Sequence, residues 1–141
     1  MCVFCQIIAT ELPAHVVFED EVSIAFLDIR PVFEGHTLLV PREHYETLPD
    51  LPRELVGPLF TNAQLLARAV VDAMDATGTF VAMNNKVSQS VPHLHVHVVP
   101  RRPKDGLRGF FWPRRHYGSQ EAVEATAGAI RARMESLTAA P

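Results

Sequence analysis

Hydrophobic and polar positions along this chain change their period several times, and each change marks an element. "AHVVFED" (14–20) and "EVSIAFLDI" (21–29) are rich in β-branched and aromatic residues and meet at Glu19, Asp20 and Glu21, which predicts two short strands joined as a hairpin. "GHTLLVP" (35–41) predicts a third strand, opened by Gly35 and closed by Pro41. From 53 to 77 the period lengthens. Leu55, Leu59, Leu66, Val70 and Met74 fall near helical spacing, with Gly78 as the expected stop and Pro58 tolerated only in the first turn. "TFVAMNN" and "HLHVHVVP" predict two more strands, with "KVSQS" as the loop between them. "SQEAVEATAGAIRARMESL" predicts a closing helix with Ser119 as its N-cap, acids early and arginines late, the charge order that suits a helix dipole. The opening "MCVFCQIIAT" predicts a short helical turn.

Five strands with one long helix between the third and fourth predict an α+β domain. Its mainly antiparallel sheet carries the long helix and a C-terminal helix packed on it, in place of repeated βαβ units. At 141 residues a single domain is expected, large enough to fold without disulfides. With 48% hydrophobic and 21% charged residues the composition is that of an ordinary soluble protein, and a net charge of -3 predicts no general attraction to nucleic acid. No apolar run approaches the roughly 20 residues that span a bilayer, and no secretory pattern opens the chain. A cytoplasmic location is expected.

Within "VPHLHVHVVP" three of the seven histidines, His93, His95 and His97, alternate with Leu94, Val96 and Val98. In a strand that spacing lines the imidazoles on one face and gives the other to the core. Spacing alone leaves a three-histidine metal site and nucleophilic catalysis equally open. The only cysteines, Cys2 and Cys5, stand at a separation typical of metal ligation or of dithiol redox chemistry.

"QSVPHLHVHVVP" resembles the signature of the histidine-triad nucleotide hydrolases and transferases, and "CVFCQII", "FEDEVSIAFLDIRPVFEGHTLLVPREHY" and "MNN" resemble family segments in family order. The likeness covers most of residues 2–102, leaving 103–138 as a C-terminal extension and helix. It implies that His95 attacks the α-phosphate of a nucleotide to form a covalent nucleotidyl-histidine. His97 donates to the phosphate or leaving group, His36 supports this network, and Ser90 assists a departing amine. It implies further that Asp28 accepts from the ribose hydroxyls, that Phe26 and Ile29 line the base slot, and that Asn84 and Gln89 lie near the phosphates. Without the likeness Asp28, Phe26 and Ile29 read as ordinary strand residues.

As in bacterial zinc-containing relatives, the cysteine pair joins His44 of "PREHYE" and His93 in an expected closed structural zinc site, with no organic cofactor. One departure stands out: where the family has a glycine-rich stretch after the asparagine, this chain has "NKVS", without glycine. Lys86, Val87 and Ser88 do not favour the positive φ that glycine allows. The expected activity is a purine nucleoside phosphoramidase. Dinucleoside polyphosphate hydrolysis is the alternative within the enzyme class, and a nucleotide-binding module with a decayed loop is the alternative outside it. The likeness also implies a two-fold homodimer, for which the consecutive Phe110, Phe111 and Trp112 are candidate interface groups.

Overall fold

Asp20 makes the acidic turn between the first two strands. In the computed structural model, which describes residues 1–108 and 114–139, its Oδ1 accepts from the amides of Val22 and Ser23 at 2.9 and 2.8 Å. The strands on either side are β1 (Val16–Glu19) and β2 (Ser23–Leu27), followed by β3 (Thr37–Pro41), β4 (Gly78–Ala82) and β5 (Val96–Arg101). They form one antiparallel sheet in the order β1-β2-β3-β5-β4. The chain divides into two compact units, Met1–Asp105, which holds the sheet, and Gly106–Pro141.

Both faces of β2 and β3 are largely buried, which is why these strands are mostly apolar, with Ser23 and Thr37 at their starts, and do not alternate with polar residues. Ala25 and Leu39 point to one side and join Leu94, Val96 and Val98 beneath helix α2 (Arg53–Met74), whose Leu59, Ala63, Leu66 and Val70 recur at helical spacing. Ile24, Phe26, Leu38 and Val40 point to the other side and are covered by Phe4 of helix α1 (Val3–Ile8). Asn62 of α2 ties the hairpin to the helix by donating to Asp20 Oδ2 at 2.7 Å and Ser23 Oγ at 2.9 Å.

Three expectations are corrected. The long helix begins at Arg53, so Pro58 lies in its second turn, where the ring removes one donor near a solvent-facing helix end. It also ends at Met74, because Asp75 takes the left-handed conformation at φ 50° and Ala76 N–H closes on Val71 O at 3.0 Å. Gly78 opens β4 instead of stopping the helix. The third correction concerns the histidine segment, of which only His97 is in the sheet ladder. Pro41 has no N–H to offer a longer pairing, its carbonyl accepts from His93 Nε2 at 2.8 Å, and Leu94 N–H turns instead to Tyr45 O at 2.7 Å. The alternation of side chains persists through this unpaired lead-in. Most of the histidine side is closed to water, however, for His93 and His95 are 0% and 2% exposed, and only His97 is partly accessible.

In the second unit, helix α3 (Gln120–Ala139) starts at the expected cap, with Ala122 N–H donating to Ser119 Oγ at 3.1 Å. None of its described side chains is buried. Phe110, Phe111 and Trp112 lie outside the described residues. Among the described residues no helix is long and apolar enough to cross a membrane.

Candidate active site and metal centre

His36 enters the site from the residue before β3, where Gly35 holds φ 97° and a Cβ would meet Met74 Cγ at 2.6 Å, so only glycine makes this turn. The Val32 amide donates to His36 Nδ1 at 3.1 Å, which places the imidazole proton on Nε2. That Nε2–H points to His97 Nδ1 at 3.0 Å, so His97 in turn carries its proton on Nε2. His95 is fixed the opposite way: Nδ1–H donates to the carbonyl of His93 at 2.7 Å and leaves the Nε2 lone pair free of that bond. The rings of His95 and His97 lie 5.0 Å apart at 64°. One imidazole therefore presents a lone pair beside another that presents a proton.

Burial lowers the pKa of His36, with Asp28 opposing. Burial, followed by repulsion from His95 and His36, lowers His97 to about 4, so both are neutral at neutral pH. Asp28 Oδ2 lies 3.7 Å from His36 Nε2, and its Oδ1 accepts from the Arg30 amide at 2.8 Å.

The other expected nucleotide contacts are distributed unevenly. Phe26 is 3% exposed and packs edge-on to Phe4 at 5.4 Å, a core residue before it is a slot wall, whereas Ile29 is 84% exposed. Ser90 is exposed on the approach to the histidines. Gln89 is engaged at both ends of its amide, accepting from Lys86 N–H at 2.8 Å and donating to Glu46 O at 2.6 Å. Asn84 donates to Ser88 O at 3.1 Å. Both brace the loop itself. Lys86 and Ser88 adopt φ of 71° and 60°, so the glycine-free loop still takes left-handed backbone, at a cost of about 1–2 kcal/mol per residue. The Lys86 ammonium is paired with Glu46 at 2.9 Å.

A second cluster joins the two ends of the first 93 residues. Cys2, Cys5, His44 and His93 bring four ligand atoms within 4.8 Å of one another. Cys2 Sγ lies 3.4 Å from His93 Nδ1, Cys5 Sγ 3.6 Å from the same atom and 3.3 Å from His44 Nδ1. Zn–S and Zn–N bonds of about 2.3 and 2.0 Å give a tetrahedral S···N edge of about 3.5 Å, so these separations fit one ion. His93 is oriented for it by the bond from Nε2–H to Pro41 O, which leaves Nδ1 as a lone pair facing the sulfurs. Burial and the neighbouring Cys2 thiol push the Cys5 thiol up, a conflict that a bound cation would reverse.

Sequence reasoning missed Phe4. It is the one residue of α1 that is buried, and its ring stands edge-on to His93 at 5.8 Å and to His95 at 5.2 Å. Its position between Cys2 and Cys5 is the signal that could have found it.

A lone pair on His95 Nε2 beside a proton on His97 Nε2 is an arrangement suited to nucleophilic group transfer. The chain belongs to the histidine-triad family: the HIT domain model matches residues 9–104. It is 41% identical over 113 residues to Protein hit of Bacillus subtilis, covering 79% of this chain and 78% of that protein. It is 38% identical over 114 residues to an adenosine 5'-monophosphoramidase of Saccharomyces cerevisiae, covering 79% and 70%. Against an adenylylsulfatase of Arabidopsis thaliana the figures are 34% over 117 residues, 82% and 59%. Among solved structures, a HIT family protein of Bacillus subtilis superposes with a TM-score of 0.84 at 36% identity, over 94% of this chain and 96% of that one. A Zn-bound histidine triad family protein of Mycobacterium smegmatis superposes at 0.72 with 37% identity, over 96% of both chains.

Proposed function

We propose that this protein is a nucleotide hydrolase or transferase that cleaves purine nucleoside 5′-phosphoramidates through a nucleotidyl-histidine on His95. The observation that carries the reading is the fixed tautomer of His95: its Nδ1–H is bound to the His93 carbonyl, so Nε2 is the nucleophilic atom. In the first step the Nε2–phosphorus bond forms as the phosphorus–nitrogen bond breaks, and the amine leaves with a proton drawn from solvent and relayed by the exposed Ser90 hydroxyl, while His95 keeps its Nδ1 proton. The nucleotidylated ring is cationic, and the His93 carbonyl stabilises that charge. His97 Nε2–H donates to the phosphate oxygens where negative charge accumulates, and His36 keeps that proton in place. Water then breaks the Nε2–phosphorus bond, releasing the nucleoside monophosphate and freeing the ring.

Asp28 accepts from the ribose, with Phe26 and the exposed Ile29 bordering the base. Asn84 and Gln89 act by shaping the phosphate-side loop, a role their hydrogen bonds support. Because the Lys86 charge is already paired with Glu46, the loop offers little extra to a polyphosphate chain, which favours the phosphoramidate over the dinucleoside polyphosphate. The reading includes a zinc ion held by Cys2, Cys5, His44 and His93, with all four positions filled by protein and thus structural; it supplies rigidity and no step of the chemistry.

The test is intact-mass spectrometry of protein mixed with adenosine 5′-phosphoramidate while AMP release is followed, beside His95→Ala. Turnover and a one-nucleotide adduct are expected in the wild type, and the variant should lose at least about 10⁴-fold in rate. Binding without adduct or product, repeated with diadenosine polyphosphates, would make the protein a binding module.

A further inference from the structure

We propose that Phe4 is a positioning residue for His95, and that the Cys2–Cys5 corner acts on the nucleophile by holding Phe4 in place. The proposal rests on the reading of His95 as the nucleophile. A histidine ring turns easily about its outer side-chain torsion, which has a broad, roughly two-fold profile. Half a turn exchanges Nδ1 with Cδ2 and Nε2 with Cε1, which breaks the bond to the His93 carbonyl and aims a carbon at phosphorus. The bond to the His93 carbonyl resists that turn, yet a single hydrogen bond contributes only about 1 kcal/mol net. The ring needs walls as well.

Two are present. His97 lies on one side, 5.0 Å away at 64°, and Phe4 stands against the ring at 5.2 Å and 82°. Phe4 is itself 5% exposed, wedged among His95, His93 at 5.8 Å and Phe26 at 5.4 Å. Its own helix adds only the partly buried Ile7 and Ile8, which pack against the same cluster. α1 has six residues, far below the length at which an isolated helix persists in water. What ties it down flanks Phe4 on both sides: Cys2 and Cys5 converge with His44 on His93 Nδ1. His93 thus meets the nucleophile by two routes, directly through its carbonyl and indirectly through the corner that fixes Phe4. Opening the corner lets α1 fray, removes the aromatic edge and frees the His95 ring to turn.

The experiment uses full-length, zinc-loaded protein labelled with ¹⁵N at histidine, in which long-range ¹H–¹⁵N spectra at one neutral pH report each ring's tautomer. The wild type is expected to give a single Nδ1–H form of His95. Phe4→Leu is expected to give a mixed or exchange-broadened His95 signal with His36 and His97 unchanged, a kcat about tenfold lower, and KM within about threefold. Removing zinc from the wild type with a chelator is expected to reproduce the His95 change. Phe4→Met, which fills volume without a ring, repeats the measurement if the leucine variant does not fold, and the chelated wild type decides if neither does. An unchanged His95 signal in the folded variants or after chelation overturns the proposal. So does a raised KM with kcat intact, which would make Phe4 only a wall of the nucleoside site. If the wild type turns nothing over, the functional reading fails, while the spectra still decide whether Phe4 governs the ring.

Discussion

The metal corner and the histidine relay are built from the same side chain and use it in opposite ways. At the corner the Nδ1 atoms of His44 and His93 and the two sulfurs converge on one point. In the relay, lone pairs and protons follow one another head to tail, from the Val32 amide through His36 to His97. The backbone decides between the two. Pro41 O takes the Nε2 proton of His93 and leaves its Nδ1 lone pair facing the sulfurs, whereas His93 O takes the Nδ1 proton of His95 and leaves its Nε2 lone pair free of that bond. Residue type makes an imidazole available, and the neighbouring carbonyl or amide assigns its task.

The comparison is broken most severely at the relay. His97→Ala removes the donor to the phosphate and is expected to lower kcat on a phosphoramidate by about 10²–10³-fold, with KM little changed, in a steady-state assay. His36→Ala, acting only through His97, should cost about tenfold less than that. At the corner the balance reverses. Chelation or Cys5→Ser should lower Tm by about 10 °C in calorimetry, equivalent to about 3 kcal/mol, while turnover falls much less than in His97→Ala.

The relay also responds to pH. In the folded state His97 is depressed to about 4 from the usual 6.5, so between these values the unfolded chain binds more protons. Its contribution to stability is fully present above about pH 6.5 and is lost as the pH falls through that window, with His36 acting in the same direction. Urea midpoints measured from pH 7 to pH 4 should fall, and fall less steeply in His97→Asn. The smallest effect is expected in the loop beside the relay. Ser88→Gly relieves a φ of 60° and should raise Tm by about 2 °C, because relief of strain outweighs the added freedom of the unfolded chain.

What the sequence disclosed followed from pattern. Element order, the long helix, the Asp20 turn and the convergence of Cys2, Cys5, His44 and His93 all come from periodicity or from family-specific spacing. What it hid depends on partners distant in the chain. The start of β5 is set by Pro41, which has no amide to extend the ladder, and by Tyr45, whose carbonyl takes the Leu94 amide. Asp75 ends α2 by adopting a conformation that its composition only permits, so Gly78 was the more visible and the wrong signal. Phe4 looks like any apolar residue of a short helix until the ring it faces is known. The bond of the Gln89 side chain to Glu46 O joins residues far apart in the chain and cannot be inferred from its neighbours.

The alternation of histidines with Leu94, Val96 and Val98 has a consequence for folding. Those three apolar side chains are fully buried beneath α2. Shifting the segment by one residue would drive imidazoles into that apolar layer and carry leucine and valine to the reacting side. No slipped register satisfies either layer. On the proposed function, selection for a working nucleophile and selection for a packed core therefore bear on the same single alignment, and an error in pairing would remove activity and stability together.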